Sequence, residues 1–142
     1  MRKEFVQAHF TYNLANASVR YWPFPHLCYE NVFPDSFYSG LIKSMPEFPS
    51  YSPISQVRPV FSSNGKPAYP DRFVITLNHN MKSIGSHWDI LQNVLHSQPT
   101  HMTLLSKFRE IIQPRIGDNA ILEPDPILIR DRTNYTLGPH TD

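Results

Sequence analysis

The sequence predicts an α+β domain in which helices pack on an incomplete sheet. Three observations lead there. Short stretches alternate apolar and polar residues with period two, while longer ones repeat apolar residues every three or four positions. The two kinds follow one another in the order β-α-loop-β-α-α-β. Fourteen prolines against five glycines, gathered in clusters such as "YWPFPH", "MPEFPSYSPIS" and "EPDP", punctuate these elements and do not form one proline-rich run.

Each element has its own signal. In residues 1–22 only Phe10, Tyr12 and Leu14 alternate, which permits a short strand. "PFPHLCYENVF" reads as a strand of about seven residues entered through two prolines. In "FPDSFYSGLIKSMPEF", Asp35 or Ser36 caps a helix whose inner face is Phe37, Leu41 and Met45, and Pro46 stops it. Residues 46–71 hold six prolines and read as a long loop with one extended piece, "QVRPVF". "RFVITLN" is a strand with Phe73, Ile75 and Leu77 on one face. Ser86 and Asp89 resemble a capping box opening a helix with Trp88, Leu91 and Leu95 inward. Pro99 and Thr100 start a second helix, with a stripe of Leu104, Leu105, Phe108, Ile111 and Ile112 that Pro114 ends. The remainder is extended, with Ile127 and Ile129 facing one way and Leu128 and Arg130 the other. The strong periodic faces predict one helix-on-sheet cluster of Phe73, Ile75, Leu77, Trp88, Leu91, Leu104, Phe108 and Ile111.

Composition bounds the function. The 142 residues suffice for one domain, residues 1–142. A net charge of +1 without a basic run or acidic tail gives no electrostatic reason to invoke nucleic acid or a membrane surface. No stretch has the roughly 20 apolar residues of a membrane span. The start "MRKEFVQAHF" lacks the apolar segment of a secretory signal. Cys28 is the only cysteine, which rules out an internal disulfide and reads as a small buried apolar residue. The expected compartment is the cytoplasm.

The chemistry lies at the C-terminus, in "GPHTD". Residues i and i+2 of a strand face the same side, so His140 and Asp142 present an imidazole nitrogen and a carboxylate oxygen to one ion. With seven His and seven Asp, chance gives roughly 0.3 such pairs per chain, so the pair alone is weak evidence. Imidazole plus carboxylate with open positions suits non-haem Fe(II) when a second His joins from elsewhere.

The segment "LIRDRTNYTLGPHTD" resembles the motif-bearing strand of the 2-oxoglutarate- and Fe(II)-dependent oxygenases. "FPHLCYENVFPDSFYSGLIKSMPEF" resembles the opening strand and helix of their bacterial and phage members, and "DRFVITLN" with the two helices after it stands in the expected order. The resemblance covers most of residues 23–142, and the order of its motifs is more specific than any one of them. It implies that the chain is the N-terminal portion of a double-stranded β-helix (jelly-roll, cupin-like) domain. It implies Fe(II) held by His140, Asp142 and a distal His, and 2-oxoglutarate held by a basic residue after that His. Tyr135 stands where family members often place a tyrosine against 2-oxoglutarate; simple core packing is the alternative for it.

The sequence departs from the family pattern at its end. His9, His26, His79, His87, His96 and His101 all precede the motif, so none matches the distal ligand by order. The expectation is an incomplete dioxygenase domain, which in the intact protein hydroxylates a small-molecule or peptide substrate. The alternative is a non-enzymatic α+β domain whose terminal H-x-D is chance or a weak metal-binding tail. Arg130 is expected to pair with Asp131 or another surface acid, and His79 to be a solvated or hydrogen-bonded loop residue. An unfinished sheet is expected to expose Ile127, Leu128, Ile129 and Tyr135 or to pair through them with a second copy. The chain alone is expected to show no 2-oxoglutarate turnover. Succinate formation coupled to O₂ consumption, lost on His140→Ala, would overturn that expectation.

Overall fold

Val6, Phe10 and Leu14 recur every four residues and gather on one side of a helix, α1 (Lys3–Asn16). The strand reading of this segment fails on Tyr12. A strand would put Phe10, Tyr12 and Leu14 on one face, yet Phe10 is 7% exposed, Tyr12 70% and Leu14 2%. The computed structural model describes residues 2–78, 83–117, 123–133 and 135. After α1 come β1 (Val19–Arg20), β2 (His26–Leu27), α2 (Asp35–Lys43), a 3-10 turn (Phe48–Ser50), β3 (Ser52–Pro53), α3 (Ile54–Val57), β4 (Arg72–Thr76), α4 (Ser86–Leu95), α5 (Gln98–Ile116) and β5 (Ile127–Asp131). The chain is thus α+β, with five α-helices and two small antiparallel sheets among the described residues. It forms two compact units. A helical unit takes Met1–Met45 and Lys82–Pro124, and a sheet unit takes Pro46–Met81 and Asp125–Asp142.

In the helical unit α1 packs against α4 and α5, and α4 also packs on α2. Phe10, Phe33, Phe37 and His87 form a chain of ring contacts with centroids 5.4, 5.5 and 5.8 Å apart. Polar groups inside this packing are satisfied. The Gln7 amide donates to Thr100 Oγ1 at 3.2 Å, the Thr100 hydroxyl donates to the Val94 carbonyl at 2.7 Å, and Trp88 Nε1 donates to the Ser44 carbonyl at 2.8 Å. Lys107 Nζ donates to the Ala17 carbonyl just past the end of α1, at 2.5 Å. The expected helix-on-sheet cluster therefore divides. Trp88, Leu91, Leu104, Phe108 and Ile111 belong to the helical unit, and Phe73, Ile75 and Leu77 to the sheet unit. The reason is α1, whose apolar stripe supplies the surface that α4 and α5 cover.

Local signals account for most boundaries and correct several. α5 starts at Gln98, ahead of the expected Pro99, and Ser97 caps it: its hydroxyl accepts from the Thr100 N–H at 3.3 Å. Pro114 does not end that helix. The helix runs on to Ile116 and stops at Gly117, whose φ of 79° suits a residue without a side-chain clash. Ser86 is the first residue of α4 rather than its cap, and the Asp89 carboxylate accepts from the Ser83 hydroxyl at 2.6 Å. The expected strand around His26 shrinks to two residues paired with β1. Beyond it the chain turns at Asn31 (φ 54°), whose carbonyl accepts from His9 Nε2 at 2.8 Å and Asn13 Nδ2 at 2.9 Å on α1. Cys28, just past this short strand, is exposed rather than buried. In "QVRPVF", Gln56 and Val57 close α3 instead of extending.

The sheet unit is a three-stranded antiparallel sheet in the order β3-β4-β5. Ser52 and Pro53 pair with Val74 and Phe73, and Arg72 to Thr76 pair with Asp131 to Ile127. The ladder continues past both ends of β5: the Leu77 N–H donates to the Pro126 carbonyl and the Arg132 N–H to the Asp71 carbonyl, each at 2.9 Å. Central β4 buries Phe73, Val74 and Ile75 on both of its faces. In outer β5, Ile127 and Leu128 are half-buried and Ile129 is 43% exposed. Among the described residues no helix is long and apolar enough to cross a membrane.

Gly40 lets the helices α2 and α4 meet, because a Cβ there would overlap the His87 imidazole. A Gly→Ala change inside a helix is ordinarily worth about 1 kcal/mol of stability. Overpacking costs about 1–3 kcal/mol, so Gly40→Ala is expected to lower the unfolding midpoint. Adding His87→Ala should recover most of that loss in a double-mutant cycle of thermal melts. A Gly40→Ala melt above wild type would show that the imidazole moves aside freely.

Candidate functional site

β5 leads toward the C-terminal motif, and its pairing with β4 fixes the side chains that precede it. Directly opposed residues of an antiparallel pair share a face. Arg72 lies opposite Asp131, Val74 opposite Ile129 and Thr76 opposite Ile127, so these define one face. Phe73 opposite Arg130 and Ile75 opposite Leu128 define the other.

On the first face Arg72 and Asp131 make a two-pronged pair, Nε to Oδ1 at 2.9 Å and the terminal nitrogen to Oδ2 at 3.0 Å. The hydrogen bond to Asp131 raises the Arg72 pKa further, with burial acting against it. The Tyr135 N–H donates to the Arg132 carbonyl at 2.9 Å, a turn that brings the ring back over Arg72, with Cζ 4.3 Å from its centroid. Tyr69 stands on Arg72 as well, at 5.9 Å. The Tyr135 hydroxyl is buried and has no hydrogen-bond partner among the described residues. Burial pushes its pKa up from the ordinary 10.0, the positive Arg72 pulls it down, and Asp131 and Tyr69 add smaller upward pushes.

The other face carries Arg130 and Arg132. Arg130 does not pair with Asp131, because alternation sends the two side chains to opposite faces and Arg72 holds the carboxylate. Instead its guanidinium lies over Phe48 at 5.3 Å and Tyr51 at 5.8 Å. Arg132 lies over Phe48 at 5.4 Å and Phe73 at 4.6 Å. A cavity of about 460 Å³ opens here, lined by Phe48, Asp71, Arg130, Asp131, Arg132 and Thr133. Elsewhere in the unit Arg58 pairs with Asp125.

Of the residues singled out in the sequence, Tyr135 sits on this sheet beside Arg72. His140 and Asp142 lie outside the described residues, and so does His79. Among the described residues no three His, Cys, Asp or Glu side chains gather as a metal group would. The Arg72–Asp131 pair escaped the sequence reading. Its signal is present as charges at the ends of two apolar strands, "DRFVIT" and "ILIRDR", but which charges oppose one another depends on register. No protein-family model, curated protein or solved structure matches the chain.

The orphaned phenol gives a pH signature. Its pKa is raised in the folded state, so its contribution to stability is full below pH 10.0 and is lost as pH rises through the folded value. Tyr135→Phe removes an unsatisfied buried group, whose cost is about 1–3 kcal/mol. The variant is expected to be as stable as wild type or more so at neutral pH, and to lose less stability above pH 10.0. Urea denaturation across the alkaline range measures both. A variant clearly less stable at neutral pH would mean that the hydroxyl is bonded.

Proposed function

We propose that the chain is the N-terminal part of a 2-oxoglutarate- and Fe(II)-dependent dioxygenase whose intact form has a jelly-roll core. In this reading His140 and Asp142 hold the iron, Tyr135 contacts 2-oxoglutarate, and a small-molecule or peptide substrate is hydroxylated. The observation that carries it is the Tyr135 hydroxyl, which is buried, partnerless among the described residues and set close before the H-x-D pair. A phenol O–H in that condition fits a carboxylate acceptor. The donor set of imidazole and carboxylate also fits Fe(II). β5 is an edge of the three-stranded sheet, which suits a sheet extended by further jelly-roll strands or by a second copy.

Bound iron and 2-oxoglutarate supply the activation of O₂ for attack on a C–H bond. The chain's own part is positioning. The β4–β5 ladder fixes the segment that leads to His140. The Arg72–Asp131 pair holds the cation against the Tyr135 ring, so the phenol keeps one orientation, and burial keeps it protonated and able to donate.

Co(II), a redox-inert stand-in for Fe(II), tests the ligands. The chain is expected to bind it with a visible absorption that 2-oxoglutarate perturbs. His140→Ala and Asp142→Ala should each weaken binding by at least about tenfold, since losing even an outer partner of a metal ligand costs that much. Tyr135→Phe should leave Co(II) affinity intact while weakening the 2-oxoglutarate response about tenfold, as expected for one hydrogen bond to a charged group. Co(II) binding indifferent to both ligand variants would leave a non-enzymatic α+β domain with a chance H-x-D.

A further inference from the structure

We propose that the Arg130–Arg132 face of the sheet is a binding site for an oxyanion, a phosphate or carboxylate group carried by a small ligand. The two arginines point to the opposite face from Arg72 and Tyr135, with Asp131 at the boundary between the faces, so the site does not depend on the iron reading. Three observations carry it together. First, Arg130 and Arg132 are two residues apart, and the Cζ of each lies over the same Phe48 ring, at 5.3 and 5.4 Å. A guanidinium held over a ring still has edge N–H groups with which to bind an anion. Second, neither guanidinium has a carboxylate partner among the described residues, while Arg58 and Arg72 each do. Third, the two arginines line a single open cavity of about 460 Å³, enough for a small ligand.

The charges around the cavity leave a surplus for an anion. Asp131 is matched by Arg72 on the far face. The lining holds Arg130 and Arg132 against Asp71 and Asp131, and only when Arg72, the partner of Asp131, is counted with them is the group cationic by one charge. A second ring lies against each fork, Tyr51 at 5.8 Å from Arg130 Cζ and Phe73 at 4.6 Å from Arg132 Cζ, which restricts both before a ligand arrives. A pre-set pair of forks suits a group with two or three coplanar or tetrahedral oxygens, each accepting two hydrogen bonds. Thr133, also in the lining, adds a hydroxyl able to donate to the same group.

Calorimetric titration of the full 142-residue chain with inorganic phosphate and, separately, with succinate tests the site and names its source. Saturable binding of either probe supports the proposal, and the stronger one tells phosphate ester from carboxylate. Arg130→Gln and Arg132→Gln should each weaken it by about tenfold, the loss of one charge-assisted hydrogen-bonding fork. Arg109→Gln, which removes a charge from α5, should leave it unchanged. Where a glutamine variant unfolds, amide NMR of the wild-type chain replaces it: residues 130–133 should shift saturably with the probe while those of α1 stay still. Absence of binding by both probes, or binding that survives both glutamine variants, would overturn the proposal. So would probe-induced shifts spread evenly over both units.

Discussion

The register of β4 against β5 is the constraint on which the sheet unit depends. Arg72 and Asp131 are 59 residues apart in sequence and meet only because Val74 faces Ile129 and Ile75 faces Leu128. A slip of one residue would send every side chain of β5 to the other face. Asp131 would then lie among Phe48 and Phe73, and Arg130 and Arg132 would crowd Arg72. A partly exposed ion pair contributes little net stability, about 0–1 kcal/mol. Its consequence here is selection: only one register matches the acid to a base and the apolar residues to each other.

The β4–β5 ladder puts arginine to two uses. Arg72 is matched by a carboxylate and covered by tyrosine rings, and it holds Tyr135 in place. Arg130 and Arg132 rest on aromatic rings with their edges free of carboxylates among the described residues. A lysine would not serve in either setting, since an ammonium has neither the fork for Asp131 nor the flat face for Phe48. The chemistry on the two faces differs although both belong to one short pair of strands.

In the helical unit the comparable constraint is the apolar stripe of α1. Burying Val6, Phe10 and Leu14 contributes about 1.5–3 kcal/mol for each side chain. It also supplies the apolar surface on which α4 and α5 pack. Gly40 sets how closely α2 approaches α4, because the His87 ring occupies the space a side chain would need.

What the sequence determined by itself was local. The helices at α2, α4 and α5 and the strands at β4 and β5 were legible, because an amphipathic face is written in the spacing of its own residues. Tyr135 was singled out by its place before H-x-D, not by any contact. Tertiary structure decided which faces meet. The N-terminal helix was obscured because Phe10, Tyr12 and Leu14 satisfy a two-residue alternation as well as a helical one, and only burial separates them. Pro114 looked like a stop, yet near a helix end it forfeits one hydrogen bond, and the stop came three residues later at Gly117. The partner of Arg130 was misjudged for a related reason: its sequence neighbour Asp131 points away from it on a strand. Its true contacts, Phe48 and Tyr51, come from a proline-rich segment with no periodicity to announce them. Pairings between distant segments depend on register and packing, and a single sequence records neither.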